Sequence, residues 1–180
     1  GCSRMEGLGA ALRRMSQLHA WTTTTAAVTI AKPEQHLVTQ VCSFVRSATA
    51  QAIAGSHNDD YFTVEPFGSL ASGLALCSSA DVDVNISLSP PARQQQQLDI
   101  RKVVLEQLGQ HLQQPQYAGH VSNVELVLNA RVPLLKCFHV GLRCNCDIVV
   151  NNCKGVRNSN MLKFYAQEQP LLVHLARMVK

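Results

Sequence analysis

Three acidic residues and one glycine–serine step carry the chemistry open to this sequence. Asp81 and Asp83 stand two apart in Asp81-Val82-Asp83-Val84, and residues 70–80 separate them from Phe67-Gly68-Ser69. On an extended strand, residues i and i+2 point to one face. Both carboxylates therefore look the same way, while Val82, Val84 and Ile86 turn to the other side. A third carboxylate, Asp147, lies far along the chain in a second strand-like run, Cys146-Asp147-Ile148-Val149-Val150. Three like charges drawn together repel, so a convergent arrangement calls for cations. Hard oxygen donors suit Mg²⁺ or Mn²⁺, which also bridge phosphates. Two such ions about 3.5–4 Å apart support an in-line displacement at phosphorus. The ion shared by Asp81, Asp83 and Asp147 would lower the pKa of an attacking hydroxyl. The ion on Asp81 and Asp83 would neutralise the departing phosphates. Gly68 would let backbone N–H groups approach those phosphates, Ser69 adds a hydroxyl, and a helix start after it would favour the anion.

The elements that must position these groups are legible in the periodicity. Leu37, Val41, Val45, Ala48 and Ala52 recur at helical spacing and predict a helix over 34–54, opened by Pro33 and ended by Gly55. Residues 61–67 read as a strand, Gly68-Ser69 as a turn and 70–76 as a short helix, and Asp81 to Leu88 forms the next strand. Leu98, Val104, Leu105, Leu108 and Leu112 predict a helix over 92–113, with the glutamines at 94–97 on its solvated side. Residues 121–138 read as one or two strands with Pro133 at an edge or kink. Gly141 turns the chain into a strand from Leu142 to Val150. Asn158-Ser159 reads as a helix N-cap, with Met161, Leu162 and Tyr165 following on one face. Pro170 starts a last helix carrying Leu171, Leu175 and Met178.

The 180 residues, 46% of them hydrophobic, suffice for one compact domain and part of another. A net charge of +4 is compatible with a polyanionic partner but does not demand one. No run of 18 apolar residues exists, which excludes an apolar membrane helix. The seven cysteines are odd in number and lie mostly in apolar runs, so they read as reduced, buried thiols of an intracellular protein. A zinc site from Cys144, Cys146, Cys153 and His139 is the sharper alternative, but paired C-x-x-C knuckles are missing. Residues 1–33 are basic and acid-poor, with Leu8, Leu12, Met15 and Leu18 on one helical face. They form a leader, either flexible or a mitochondrial targeting segment. The cytoplasm is the first expectation and the mitochondrion the second.

Taken singly, a Gly-Ser pair is a turn and an isolated D-x-D is the wet face of an edge strand. Taken in order, these motifs resemble the polymerase-β-like nucleotidyltransferase superfamily. Within it they resemble terminal uridylyltransferases and poly(A) polymerase-like enzymes that extend RNA 3′ ends. The resemblance rests on Phe67-Gly68-Ser69 with Asp81-Val82-Asp83-Val84, on Ala130-Arg131-Val132-Pro133-Leu134-Leu135-Lys136, on Cys146-Asp147-Ile148-Val149-Val150-Asn151-Asn152, and on Gly155-Val156-Arg157-Asn158-Ser159. It implies an α+β fold: a nucleotidyltransferase catalytic domain over 34–156, with a mixed β-sheet flanked by helices. It also implies the start of a helical second domain over 157–180, cut short within its last helix. Asp81, Asp83 and Asp147 would bind two Mg²⁺ or Mn²⁺ ions and carry the catalysis. Phe67, Gly68, Ser69, Asn158, Ser159 and Lys180 would bind the nucleotide. Asn158 would touch ribose or base, Ser159 would line the nucleotide site, and Lys180 would meet the phosphates. The implied partners are a nucleoside triphosphate and an RNA 3′ end. The wording from Gly155 to Ser159 is similar to kinetoplastid-type uridylyltransferases, which makes UTP the first substrate expected and ATP the alternative.

Two readings from other classes compete. A glycosyltransferase would use Asp81 and Asp83 to hold a metal and a nucleotide sugar, but it leaves Gly68-Ser69 and Asp147 without a task. An inactive RNA-binding scaffold would tolerate loss of a carboxylate, yet all three are present, and no basic stripe interleaved with aromatics is visible.

Overall fold

The computed structural model describes residues 32–53, 61–76, 81–89 and 94–179. Residues 1–31, most of the leader expected over 1–33, and Lys180 lie outside the described residues. From Lys32 onward the chain forms one compact unit. In order it comprises α1 (Lys32–Ala52), β1 (Phe62–Phe67), α2 (Gly68–Ser72), β2 (Val82–Leu88), α3 (Gln94–Leu112), a 3₁₀ turn (Pro115–Tyr117), β3 (Val121–Val127), β4 (Leu134–His139), β5 (Cys144–Val150), α4 (Cys153–Glu168) and α5 (Pro170–Val179).

The five strands make one mixed sheet in the order β1-β2-β5-β4-β3. β2 and β5 pair in parallel at its centre. The other three pairings are antiparallel. The centre is where both faces need covering, and the sequence there is correspondingly apolar. Val82, Val84 and Ile86 of β2 and Cys146, Ile148 and Val150 of β5 are buried on one face. Val41, Val45 and Ala48 of α1 and Val104, Leu105 and Leu108 of α3 join them in the core. The opposite face of the same two strands carries the polar residues. There α4 packs against α2 and against the β1–β2 side of the sheet.

Several local expectations are corrected. Gly68 does not end a turn before a helix starting at Leu70. It is itself the first residue of α2, and Phe67 precedes it as the N-cap. The expected N-cap at Asn158-Ser159 is also wrong. Helix α4 begins at Cys153, and its N-cap is Asn152, whose side chain accepts from the Gly155 amide at 3.2 Å. The cap stands earlier than expected because Asn151-Asn152 and Asn158-Ser159 both offer side chains able to cap a helix. The residues at 121–138 form two strands, and Pro133 is buried just before the second. The turn before β5 uses a left-handed Arg143 (φ 52) where Gly141 was expected to do the turning.

Candidate functional site

Register brings the aspartates together. Asp83 of β2 and Asp147 of β5 are direct partners across the central parallel pair, where adjacent strands lie about 4.8 Å apart. Asp81 precedes them on the same face, exposed, and accepts a hydrogen bond from Asn145 Nδ2 at 3.0 Å. On the other flank of β5, Lys136 of β4 is the cross-strand partner of Asp147. Its Nζ lies 3.8 Å from Asp147 Oδ2. Burial pushes the Asp147 carboxyl above its ordinary range. The Lys136 ammonium pulls it back down, and the nearby Asp81 charge pushes it up again.

The packing over Asp83 explains why a glycine must stand at the start of α2, directly after β1. Phe67 pairs with Asp83 across β1–β2, so the next residue passes directly over that carboxylate. Gly68 has φ +78, and a Cβ there would overlap Asp83 Oδ2 and lie 2.7 Å from its Cγ. The Gly68 amide does not point into empty space. It donates to Ser159 Oγ at 2.8 Å, and the Ser159 hydroxyl in turn donates to the Gly155 carbonyl at 2.9 Å. Ser159 is buried, whereas Asn158 beside it is exposed on α4. Phe67 and Ser69 are half-buried at the turn. At five residues α2 is too short to carry the dipole of a long helix, so the helix start contributes little toward an anion.

A second set of polar groups ties α4 to β2. Asn85 continues the Asp81, Asp83 alternation and is fully buried. Its Oδ1 accepts the Asn152 amide at 2.7 Å, and its Nδ2 donates to Ser87 Oγ at 2.8 Å. Asn151 takes the left-handed conformation (φ 53) that swings the chain out of β5. Its amide donates to the Ile86 carbonyl, its Oδ1 accepts the Leu88 amide at 2.8 Å, and its carbonyl accepts Arg101 Nη2 at 3.0 Å. The Asn151-Asn152 pair is therefore a turn and a cap that deliver α4 to the polar face. The sequence offered a signal for Asn85: a polar residue two beyond Asp83 in an otherwise apolar strand. Lys136 stood in a motif but carried no assigned contact.

The donor set fits hard divalent cations: three carboxylates on two adjacent strands, with a lysine ammonium already resting against one of them. Among the described residues, no three His, Cys, Asp or Glu side chains close around a single point. Among the described residues, the cysteines form no alternative metal site. Cys144, Cys146 and Cys137 face the core, while Cys153 is exposed in the first turn of α4. The Cys146 thiol is pushed up to about 12, first by its hydrogen bond to Cys137 and then by burial.

The sequence profile of the mitochondrial-like poly(A) RNA polymerase central palm domain matches residues 12–167. Among solved structures, mtPAP in complex with ATPγS is similar at TM-score 0.67 and 26% identity, over 79% of this chain and 31% of that one. Terminal uridylyl transferase 4 from Trypanosoma brucei with bound GTP is similar at TM-score 0.59 and 23% identity, over 74% of this chain and 40% of that one. Cid1 in complex with the UTP analogue UMPNPP gives TM-score 0.59 and 19% identity, over 83% and 40%. The last two speak to the fold alone. The chain spans about a third of the mtPAP chain it matches. A search of curated proteins gives no match. Among the described residues, no helix is long and apolar enough to cross a membrane.

Proposed function

This chain belongs to the mitochondrial-like poly(A) RNA polymerase central palm family, within the polymerase-β-like poly(A) and uridylyl transferases, and from that premise we propose that it is the catalytic palm of a template-independent RNA 3′-terminal nucleotidyltransferase. The observation that carries the reading is the pairing of Asp83 with Asp147 across the central parallel strands, with Asp81 on the same face and Gly68 pressed over Asp83. When bound between these aspartates, two Mg²⁺ or Mn²⁺ ions would activate an RNA 3′-hydroxyl and stabilise departing pyrophosphate. The chain's own residues orient the reaction. The β2–β5 ladder fixes the spacing of Asp83 and Asp147, Asn145 holds Asp81, and Lys136 balances the charge on Asp147. In this reading Ser69, in the first turn of α2, and Asn158, exposed on α4, would meet the triphosphate and the ribose.

The family match favours ATP as the nucleotide. The Gly155-Val156-Arg157-Asn158-Ser159 wording favours UTP, and this is the second reading. The exposed Met161, Leu162, Phe164, Tyr165, Leu171, Leu175 and Met178 on α4 and α5 support the view that residues 157–180 open a helical domain that covers them. The family description makes the mitochondrion the first compartment to test and the cytoplasm the second. The deciding experiment offers the full-length protein each ribonucleoside triphosphate with Mg²⁺ or Mn²⁺ and a short single-stranded RNA. Product lengths identify the nucleotide. Asp81→Ala and Asp147→Ala should abolish extension while leaving the thermal unfolding transition in place. Extension by either variant at the wild-type rate would remove the metal role.

A further inference from the structure

Ser159 has no hydroxyl hydrogen left for a ligand. A serine hydroxyl donates once and accepts through two lone pairs. Here the single proton goes to the Gly155 carbonyl at 2.9 Å, and one lone pair takes the Gly68 amide at 2.8 Å. The side chain is 6% exposed. The partners on both sides matter. Gly68 is the residue on which a Cβ would strike Asp83. Gly155 is the residue whose amide is capped by Asn152, and the Asn152 amide is held by Asn85 Oδ1 at 2.7 Å. Contacts therefore run in a closed ring: Asn85 to Asn152, Gly155, Ser159, Gly68 and Asp83. Both ends of the ring lie on β2, two residues apart.

We propose that Ser159 is a positioning residue that clamps the Gly68-Ser69 turn against Asp83 by docking it on helix α4. The proposal rests on the reading of this face as a triphosphate site. Freed of Ser159, the Gly68 amide loses its acceptor and the turn loses its tie to α4. The carboxylate beneath it gains room to leave the register set by β2 and β5. The effect is felt by the phosphates, because the turn and Asp83 both face them. A direct contact would be felt through the sugar or the base.

That difference sets the test. In the full-length protein, Ser159→Ala is compared with wild type by titration calorimetry. The probes are inorganic tripolyphosphate with Mg²⁺, which has neither ribose nor base, and ATP or UTP with Mg²⁺. Hydrogen exchange at the Gly68 amide is followed in parallel. The expected result is loss of protection at Gly68 and an equal weakening of both ligands, about tenfold, the scale of one orphaned buried donor. Ser159→Cys keeps the shape but weakens both hydrogen bonds, and should fall between. It also carries the test if the alanine variant unfolds. Weakening of the nucleotide with unchanged tripolyphosphate affinity would overturn the proposal in favour of direct contact. Unchanged affinity for both ligands would overturn the coupling. If wild type binds neither ligand, the triphosphate reading falls, and exchange still judges the clamp: unaltered protection at Gly68 in Ser159→Ala sinks it.

Discussion

Gly68→Ala is the sharpest test of how the site is built. Two costs add. The left-handed backbone at φ +78 costs an alanine about 1–2 kcal/mol. The new methyl also overlaps Asp83 Oδ2 and presses its Cγ at 2.7 Å, so the carboxylate must move. Overpacking of this kind costs about 1–3 kcal/mol. Together the variant should lose about 2–5 kcal/mol, within the margin of a domain that stays folded. Displacing Asp83 by about 1 Å should lower extension of an RNA primer about 10²-fold. A double-mutant cycle isolates the mechanism. In an Asp83→Ala background the Oδ2 and Cγ overlaps vanish, and only the Cβ contact at 3.0 Å remains. The stability cost of Gly68→Ala, read by urea unfolding, should then fall toward the backbone part alone, about 1–2 kcal/mol. Equal costs in both backgrounds would refute the steric account and leave only backbone strain.

Other outcomes follow from the same geometry. Asn85→Ala removes the acceptor for the Asn152 amide and the donor to Ser87, and should cost about 2–4 kcal/mol in denaturant unfolding, the scale of buried groups left unpaired. A cost under half a kilocalorie per mole, on the order of a surface change, would show that the network holds nothing. Lys136→Met takes the ammonium from Asp147 and should tighten Mn²⁺ binding severalfold in a paramagnetic titration, because the competing cation is gone. Weaker binding would point to a different role for this lysine. The raised pKa of Asp147 sets a pH dependence for the metal-free protein. Its folded-state carboxyl titrates above the ordinary 3.8, so its contribution to stability is complete below 3.8 and is lost as pH rises through the raised value. Mg²⁺ requires the ionised form, so the metal-induced gain in melting temperature should grow with pH over the same window. A gain that shrinks as pH rises would contradict the assignment.

The sequence was most legible where one face of an element is apolar. β2 and β5 alternate cleanly, so Asp81, Asp83 and Asp147 could be sorted to one side before any pairing was known. That they meet depends on a parallel pairing between distant segments, and single-strand periodicity holds no information about which strands become neighbours. Two local details lie beyond what the sequence carries. A glycine in a turn suggests a close backbone approach, and the structure adds that the Asp83 carboxylate lies under Gly68 while the Gly68 amide donates to Ser159. Asn152 and Asn158 have the same intrinsic capping propensity, so the sequence alone does not choose between them. Only the buried Asn85, whose oxygen fixes the Asn152 amide, decides between them.

The central parallel pair also bears on how the protein is made. Each half of the acidic cluster lies on a strand that has no use for the other until the chain between them, α3, β3 and β4, has been synthesised and packed. A nascent chain that has emerged only as far as β4 owns two carboxylates and a glycine, but no third ligand and no asparagine cap. With only two of the three carboxylates in place, such a chain would gain much less from Mg²⁺ than the complete site. Cation-dependent protection from protease during synthesis should therefore switch on in one step, when β5 leaves the ribosome and inserts between β2 and β4.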